Sequence, residues 1–260
     1  IGRNNMNVLY TLDKGFVPQL FVSLKTLINN TFKMINIYII CDGISNGDKN
    51  KLMFFDDDRV SIFFLKAPHI PNKLIPDRGS RSQFYRLSIT EIFKSIDIDR
   101  ILYLDADTMV MSRNIEDMYS SNLDGHVLGA TTDPWAKSYR DLLNIDSDAK
   151  MFNSGIMLID VNLWNKYNLD EEVKKIVASR KDFIQGDQGV LNELFNGRYE
   201  ELNPQFNVIS SYFELKYEDL IRFRKPIAFY SKKSIEDAVR KPVIIHYTST
   251  FMQNRPWNLK

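Results

Sequence analysis

Residues Arg100–Val110 read RILYLDADTMV, an apolar run of strand length that ends on two carboxylates one residue apart. A strand that is apolar on both faces is typical of a parallel sheet covered by helices, and ligands bind at the carboxyl ends of such strands. Because side chains alternate along an extended chain, we expect Asp105 and Asp107 to face one divalent cation. Such hard oxygen ligands favour Mg²⁺ or Mn²⁺ and, through the metal, a diphosphate.

Two other interpretations of this Asp-x-Asp motif are open. An Asp after a strand often only caps a turn or a helix, because its carboxylate accepts hydrogen bonds from the following backbone N–H groups. An apolar strand that ends in Asp-x-Asp-x-Thr, completed here by Thr108, is also how haloacid-dehalogenase-like phosphatases present a nucleophilic Asp and an acid/base Asp. The rest of the chain has to distinguish these possibilities.

The composition is that of an ordinary globular protein. With 260 residues, 44% hydrophobic and 26% charged, the chain can bury an ample core. The formal net charge of +1 gives no argument for a nucleic-acid partner. No apolar run approaches the roughly 20 residues of a membrane-spanning helix, and no signal peptide is recognisable, so a cytoplasmic location is expected. The single Cys41 excludes an internal disulfide, and residues 1–5 are expected to be a tag remnant.

Strands and helices alternate along most of the chain. Predicted strands besides the central run cover Asn7–Leu12, Ile35–Ile40, Val60–Leu65, Val127–Thr131, Met151–Asp160 and Pro242–Tyr247. Predicted helices cover Val17–Asn30, Ser45–Phe55, Ser82–Lys94, Ile115–Tyr119, Leu169–Ser179 and Asp187–Phe195. This alternation favours an α/β fold with a largely parallel sheet. No G-x-G-x-x-G or P-loop motif follows the first strand, which argues against dinucleotide oxidoreductases and P-loop nucleotidases.

Two segments lack a regular pattern. Residues 133–150, which contain Trp135 and Tyr139, are predicted to be mobile. From Asn196 to the last strand the chain is predicted to be irregular, with scattered Tyr, Phe and Pro. Aromatic residues between Tyr199 and Tyr230 are equally consistent with a core and with sugar-stacking platforms.

His246 ends a second apolar strand. If that strand lies near the central one, its imidazole would join Asp105 and Asp107 on one cation, although a lone His at a strand end is more often structural. A His beside two carboxylates favours Mn²⁺, since Mn²⁺ accepts nitrogen ligands more readily than Mg²⁺ does.

Four more polar residues are candidates for ligand contacts. Asp187 and Gln188 begin a predicted helix and would offer a carboxylate and an amide to a polar ligand, unless Asp187 only caps the helix. Arg86 and Arg255 are candidates for phosphate, because arginine forks onto phosphate oxygens and stabilises a departing diphosphate. Either arginine is equally consistent with a surface charge on an apolar stem.

Six motifs follow one another along the chain: VLYTLD at 8–13, YRL at 85–87, ILYLDAD at 101–107, FNSGIMLI at 152–159, GDQGVLN at 186–192, and HY at 246–247 followed by RPW at 255–257. In this order and spacing, nearly the whole chain resembles glycosyltransferase family 8, the retaining, metal-dependent sugar-nucleotide transferases that include bacterial lipopolysaccharide galactosyltransferases and glucosyltransferases. The order disfavours the phosphatase, whose nucleophile strand normally opens its domain. The resemblance implies a GT-A fold with a Rossmann-like, mostly parallel sheet in a single domain at residues 6–260, divided into a nucleotide-binding half (6–110) and a donor-sugar and acceptor half (111–260).

The resemblance also implies a role for each matched residue. The implied contacts of the donor are Thr11, Asp13, Phe16, Arg86, Asp105, Ala106, Asn153, Asp187, Gln188 and Arg255. Thr11 and Asp13 would hold the uracil and ribose of a UDP-sugar, and Phe16 would pack on the base. Arg255, where the family usually has Lys, would contact the diphosphate. Asp105, Asp107 and His246 would together bind Mn²⁺ or Mg²⁺ as a DXD-type metal site.

Arg86, Asp187 and Gln188 are the implied catalytic residues. Arg86 would sit beside the donor sugar, Asn153 and Asp187 would bind sugar hydroxyls, and Gln188 would lie near the anomeric carbon. Retaining glycosidases have a carboxylate nucleophile at such a place, whereas Gln188 is an amide. We therefore favour attack on the face that the diphosphate leaves, with a leaving phosphate oxygen as base, and keep Asp187 as the alternative nucleophile.

The expected function is transfer of a hexose from UDP-galactose or UDP-glucose to an oligosaccharide, lipid-linked glycan or glycoprotein acceptor. One departure favours an alternative, a sugar-nucleotide-binding protein without turnover. Eight residues separate His246 from Arg255 where related bacterial transferases typically have five, and Ser249 replaces a usual Gly. The chain stops three residues after Trp257, so a basic membrane-docking tail, seen in some relatives, is expected to be missing or to have been removed. Through such a tail the protein would associate peripherally with the inner face of the membrane.

Overall fold

The computed structural model describes residues 5–76, 80–134, 137–248 and 255–258. The strands within these ranges are β1 Met6–Asp13, β2 Ile35–Asp42, β3 Val60–Phe64, β4 Arg100–Leu104, β5 Thr108–Val110, β6 Leu128–Thr132, β7 Phe152–Asp160, β8 Glu200–Glu201, β9 Val208–Ile209 and β10 Ile244–His246. The α-helices are α1 Val17–Asn29, α2 Asn46–Leu52, α3 Ile89–Phe93, α4 Ile115–Tyr119, α5 Lys137–Arg140, α6 Val161–Lys166, α7 Leu169–Ser179, α8 Gly186–Phe195, α9 Ser210–Glu214, α10 Tyr217–Arg224 and α11 Lys232–Arg240.

Seven strands form one large sheet in the order β3-β2-β1-β4-β7-β6-β8. Strands β3, β2, β1 and β4 are parallel, β7 is antiparallel to both β4 and β6, and β8 is parallel to β6. The predicted α/β class, with a mostly parallel sheet flanked by helices in one domain, is confirmed. The strands predicted besides the central run are all present, with ends within two residues of the expected ones, and the central run is divided into β4 and β5.

The sheet is covered on both faces, as the apolar central strand predicts. Ile101 and Tyr103 of β4 belong to one hydrophobic cluster, and Leu102 and Leu104 belong to the cluster on the opposite face. All four side chains are 0% exposed. Helices α6, α7 and α8 pack on the first face, and α1 and α4 pack on the second. Burial on both faces explains why β4 reads as a continuous apolar run without alternation.

A second sheet of three strands, in the order β5-β10-β9, brings the C-terminal strand to the functional end of the fold. Strand β10 is antiparallel to β5 and parallel to β9, so that His246 is paired with Thr108 on one side and with Ile209 on the other. His246 therefore reaches the neighbourhood of the two Asp residues through β5, and not through the large sheet.

Two predictions of secondary structure were wrong. The region after Asn196 is not irregular, because it contains β8, β9, α9, α10 and α11 around a third hydrophobic cluster that includes Val208 and Leu220. Its helices are short and bury few apolar residues among many charges, so each offers only a small apolar signal in the sequence. The helix expected up to Lys94 is instead a 3₁₀ helix at Arg81–Leu87 followed by α3, with non-helical angles at Ser88 between them.

Two further expectations concern mobility and membranes. The segment expected to be mobile includes α5, and Arg140 at the end of α5 donates hydrogen bonds to the backbone carbonyls of Asp146, Ser147 and Ala149. Trp135 lies outside the described residues, and mobility remains a prediction. Among the helices in the described ranges, none has both the length and the apolar character needed to cross a bilayer.

Candidate active site

A cavity of about 740 Å³ opens at the carboxyl ends of β1 and β4, a volume in the range of small-molecule sites. Every site residue proposed from the sequence lines it: Thr11, Asp13, Phe16, Arg86, Asp105, Ala106, Asp107, Asn153, Asp187, Gln188, His246 and Arg255. The cavity is also lined by residues of α9 and α10, two helices that the sequence did not predict, namely Ser211, Glu214, Phe223 and Arg224.

Asp105, Asp107 and His246 meet at one point on the cavity wall. Each offers a ligand atom within 4.8 Å of the other two. His246 Nε2 is 3.3 Å from Asp107 Oδ1 and 3.6 Å from Asp105 Oδ2. The expected convergence is present, but its reason differs from strand alternation. Asp105 follows β4, and Ala106 and Asp107 form a turn before β5, so the turn directs both carboxylates to the imidazole.

Hydrogen bonds hold this turn in place. The Thr108 hydroxyl donates to the Asp105 carbonyl at 2.8 Å, and the Tyr247 N–H donates to the Asp107 carbonyl at 2.9 Å. Burial by itself raises the pKa of Asp107, but the hydrogen bond with His246 and the charge of Arg255 lower this pKa below its ordinary value. The carboxylate is therefore kept in the ionised form that a cation requires.

The donor atoms and the space between them fit a divalent cation. Two carboxylates and one neutral imidazole are ligands that Mn²⁺ and Mg²⁺ accept, with the nitrogen favouring Mn²⁺. Gly155 of β7 supplies room beside them. A Cβ at Gly155 would lie 2.2 Å from His246 Cε1 and 2.7 Å from Asp105 Oδ2. Only glycine therefore allows β7 to approach the cluster this closely.

Arg86 is a buried cation between two carboxylates. From the 3₁₀ helix it donates to Asp105 Oδ1 at 2.6 Å and to the Ser154 carbonyl at 2.9 Å, and its Nε lies 3.3 Å from Asp187 Oδ2. Its guanidinium lies 4.2 Å from the ring centre of Tyr103. Burial lowers the pKa of Arg86, but the charges of Asp105 and Asp187 raise it further, so the guanidinium stays charged. The surface-charge interpretation of Arg86 was wrong.

We expect Arg86→Met to lower the free energy of unfolding by about 3–5 kcal/mol, because it leaves the buried Asp187 and the partly buried Asp105 without their cation. Urea denaturation without added metal measures this. Arg222→Met is the matched control, since Arg222 pairs with Asp219 on the surface and is 71% exposed. That change should shift stability by no more than about 0.5 kcal/mol. Equal stability of the two variants would contradict the buried charge cluster.

The start of α8 presents Asp187 and Gln188 to the cavity. The Ser154 N–H donates to Gln188 Oε1 at 3.0 Å, and the Ser154 hydroxyl donates to Asp187 Oδ2 at 2.9 Å. The N-cap residue of α8 is Gln185, which has a left-handed backbone and makes no capping hydrogen bond with its side chain. Asp187 faces Arg86 and Ser154, so the alternative that it merely caps this helix finds no support.

The residues expected around the nucleotide, Thr11, Asp13 and Phe16, also line the cavity. Thr11 is hydrogen-bonded to the Tyr103 hydroxyl at 2.9 Å, and Tyr103 donates to Asp105 Oδ1 at 2.9 Å, so β1 is linked to the cluster. Asp13 Oδ1 accepts from the Gly15 N–H at 2.7 Å and caps the turn that carries Phe16. The Asp13 carboxylate therefore has a structural bond as well as a place in the cavity wall.

Arg255 lies between the Asp-Asp-His cluster and Phe16. Its Nη2 lies 3.7 Å from Asp107 Oδ2, and its guanidinium lies 5.9 Å from the ring centre of Phe16. Ser249, the residue that departs from the family pattern, lies outside the described residues. Arg255 thus lies beside the acidic pair, and its contact with a diphosphate remains a prediction.

Three residues of the site were missed in the sequence. Asp133 follows β6 and accepts from Asn153 Nδ2 at 3.0 Å; an Asp directly after a predicted strand was a usable signal. Burial raises the pKa of Asp133 above its ordinary value. Ser154 lay inside a quoted motif without an assigned role. Asn207 lies in the region expected to be irregular and has no local signal.

Comparison with known proteins agrees with this arrangement. The sequence model of Glycosyl transferase family 8 matches residues 7–260. The chain belongs to glycosyltransferase family 8. Within this family, it is 26% identical over 265 residues to General stress protein A of Bacillus subtilis (strain 168), covering 97% of this chain and 87% of that protein. It is 25% identical to Lipopolysaccharide 1,2-glucosyltransferase of Escherichia coli (strain K12), covering 97% of this chain and 73% of that protein.

Solved structures show the same fold. The crystal structure of galactosyltransferase LgtC in complex with donor and acceptor sugar analogs superposes with a TM-score of 0.75 at 22% identity, covering 93% of this chain and 87% of that one. The GT-A fold expected from the resemblance is confirmed. Membership of glycosyltransferase family 8 argues against the phosphatase alternative.

Proposed function

We propose that this family 8 protein transfers a hexose, galactose or glucose, from a UDP-sugar to a hydroxyl of a glycan or glycoprotein acceptor, with retention of configuration and with a divalent cation, Mn²⁺ or Mg²⁺. The observation that carries the proposal is the convergence of Asp105, Asp107 and His246 in one cavity, beside the buried Arg86. The names of two similar proteins, a glucosyltransferase and a galactosyltransferase, support a hexose donor.

The charges of the site suit the departure of a diphosphate. A cation held by Asp105, Asp107 and His246 would act as a Lewis acid that stabilises negative charge on the departing diphosphate. Arg255, 3.7 Å from Asp107, adds a second positive group at the same end of the cavity. Arg86 neutralises Asp105 and Asp187, so the carboxylates around the sugar position keep a fixed geometry.

The contacts of Asp187 and Gln188 favour a mechanism without a covalent intermediate. Asp187 Oδ2 accepts from the Ser154 hydroxyl and faces Arg86, and both interactions weaken it as a nucleophile. Gln188 Oε1 is held by the Ser154 N–H. We therefore propose that the acceptor oxygen bonds to C1 as the bond from C1 to the phosphate oxygen breaks, on the same face. The proton of the acceptor hydroxyl passes to the departing phosphate. A glycosyl adduct on Asp187, detected by intact mass spectrometry, would contradict this mechanism.

Release of UDP tests the proposed function directly. With UDP-galactose or UDP-glucose and Mn²⁺, we expect slow hydrolysis of at least one donor, and no release after the metal is chelated. Binding of both donors without release would support the binding protein without turnover. Cleavage of an aryl phosphate ester with no effect of UDP would support the phosphatase.

A thermal-shift panel provides a reading that does not depend on turnover. UDP together with Mn²⁺, at a hundred times the dissociation constant, should add about 2.7 kcal/mol to the free energy of unfolding, because only the folded chain binds. GDP and its sugars are the controls. A larger shift with GDP than with UDP would contradict the proposed nucleotide.

A further inference from the structure

Asn207, just before β9, links the proposed metal ligand to the proposed sugar-binding residue Asn153. It is 0% exposed, and both ends of its amide are hydrogen-bonded. Asn207 Oδ1 lies 3.1 Å from His246 Nδ1, and Asn207 Nδ2 donates to Asn153 Oδ1 at 2.9 Å. Asn153 Nδ2 continues the chain by donating to Asp133 Oδ2 at 3.0 Å. A continuous chain of buried hydrogen bonds therefore joins four side chains, in the order His246, Asn207, Asn153 and Asp133.

A backbone N–H decides which atom of each asparagine amide is the oxygen and which is the nitrogen. The N–H of Gly155 donates to Asn153 at 3.1 Å, and a backbone N–H can only donate, so the Asn153 atom it contacts is the oxygen. That oxygen is also the one that Asn207 contacts, so Asn207 must present its nitrogen there. Its oxygen then faces His246, and Nδ1 of His246 must carry the proton. The Asp133 carboxylate, an acceptor at the other end, requires the same direction.

We infer that Asn207 is a positioning residue, which keeps a proton on Nδ1 of His246 and orients the ring so that Nε2 points to Asp105 and Asp107. The inference rests on the proposed function, because it makes Nε2 the nitrogen that the proposed cation would take. Partners that bind the second nitrogen of a metal-ligating histidine fix its tautomer and orientation. In this chain the partner is an amide whose own direction is set by the Gly155 N–H through Asn153.

Two substitutions separate this role from a purely structural one. Asn207→Leu has a similar volume but offers no acceptor to His246. Asn207→Asp keeps an acceptor for Nδ1, yet it places a second carboxylate oxygen against Asn153 Oδ1 and buries a charge, so it should destabilise the fold more than Leu does. If Asn207 acts by keeping the proton on Nδ1 of His246, Mn²⁺ affinity should depend on whether residue 207 offers an acceptor to Nδ1. It should not depend on how stable each variant is.

Titration of Mn²⁺ into the whole protein, followed by electron paramagnetic resonance of the free ion, measures this. We expect Asn207→Leu to weaken Mn²⁺ binding by about 10- to 100-fold and Asn207→Asp to stay closer to the wild type. Asn36→Leu is the matched control. Asn36 is 3% exposed and also bonds to a buried asparagine, Asn7, but at the amino ends of the strands, so its loss should leave Mn²⁺ affinity unchanged. Equal affinities of Asn207→Leu and wild type, or equally weak binding by the Leu and Asp variants, would overturn the inference.

Nitrogen-15 NMR gives a second measurement, made on the wild type, with histidine variants used only to assign the signals. The chain has three histidines, His69, His126 and His246, so assignment by single replacement is direct. Before metal is added, we expect Nδ1 of His246 to carry a proton, because it faces the Asn207 oxygen. The opposite tautomer would overturn the inference, whatever the transfer activity. If the tautomer is as expected but the wild type does not bind Mn²⁺, the metal part of the proposed function fails and the positioning role of Asn207 stands.

Discussion

Asp107→Asn is expected to reduce the Mn²⁺-dependent release of UDP from a UDP-sugar by about 1,000-fold, the effect of removing a group that stabilises charge on a leaving oxygen. The amide keeps the shape of the side chain, which is 9% exposed, but lacks the negative charge that a cation needs. It also leaves His246 Nε2, now 3.3 Å from Asp107 Oδ1, without its ionised partner. The rate of UDP release and Mn²⁺ binding measure the effect together.

Glu193→Gln is the control for this prediction. Glu193 pairs with Arg180, and its side chain is 9% exposed, the same value as that of Asp107, but it does not line the cavity. The same change from carboxylate to amide there should leave UDP release within about two-fold of the wild type, since charge far from the site adds little to the transition state. Comparable losses in both variants would indicate a general effect of buried charge and would remove Asp107 from the proposed metal site.

Gly155→Ala is expected to disrupt the cluster without touching any of its ligands. The backbone angles of Gly155 lie outside the region that favours glycine, so alanine is tolerated conformationally and the conflict is steric. The new methyl group would lie 2.2 Å from His246 Cε1 and 2.7 Å from Asp105 Oδ2, and both side chains must move. We expect Mn²⁺ affinity to fall by about 100-fold or more, by analogy with the loss of groups that orient ligands. Overpacking should also lower the free energy of unfolding by about 1–3 kcal/mol.

Gly47→Ala is the control for the Gly155→Ala variant, because it makes the same change of residue type at a position without a steric conflict. A Cβ at Gly47, in the first turn of α2, would meet only Ser45 Oγ at 3.7 Å. Alanine is the better helix former, so this variant should be more stable by about 0.5–1 kcal/mol and should bind Mn²⁺ as the wild type does. Calorimetry with and without metal measures both quantities. Wild-type Mn²⁺ affinity in Gly155→Ala would place the cation away from β7.

Six of the seven strands of the large sheet were predictable because their signals are local, whereas the two-residue β8 was missed. The run before Asp105 is apolar at every position since β4 is buried on both faces, and the alternation of strands with helices implies crossovers that make the sheet parallel. The helices after Asn196 were missed for the opposite reason. In α11 only Ile235 and Ala238 are buried, and such a short apolar stripe is hard to distinguish from a loop.

Candidate residues of the site could be named from their types and from the motifs, but their arrangement could not. Strand alternation predicted that Asp105 and Asp107 would share a side, whereas a turn brings them together. The position of His246 depends on the pairing of β10 with β5, a contact between distant parts of the chain. Sequence spacing carries no distance information across such a separation.

What could be known before folding was therefore the fold class, the family and the chemistry of the candidate ligands, because these depend on local patterns and residue types. The folded chain alone established that Gly155 makes room for the cluster, that Arg86 is shared by Asp105 and Asp187, and that Asn207 directs His246. Each of these depends on atoms from different strands lying a few ångströms apart. Such distances arise only when long-range packing brings the strands together.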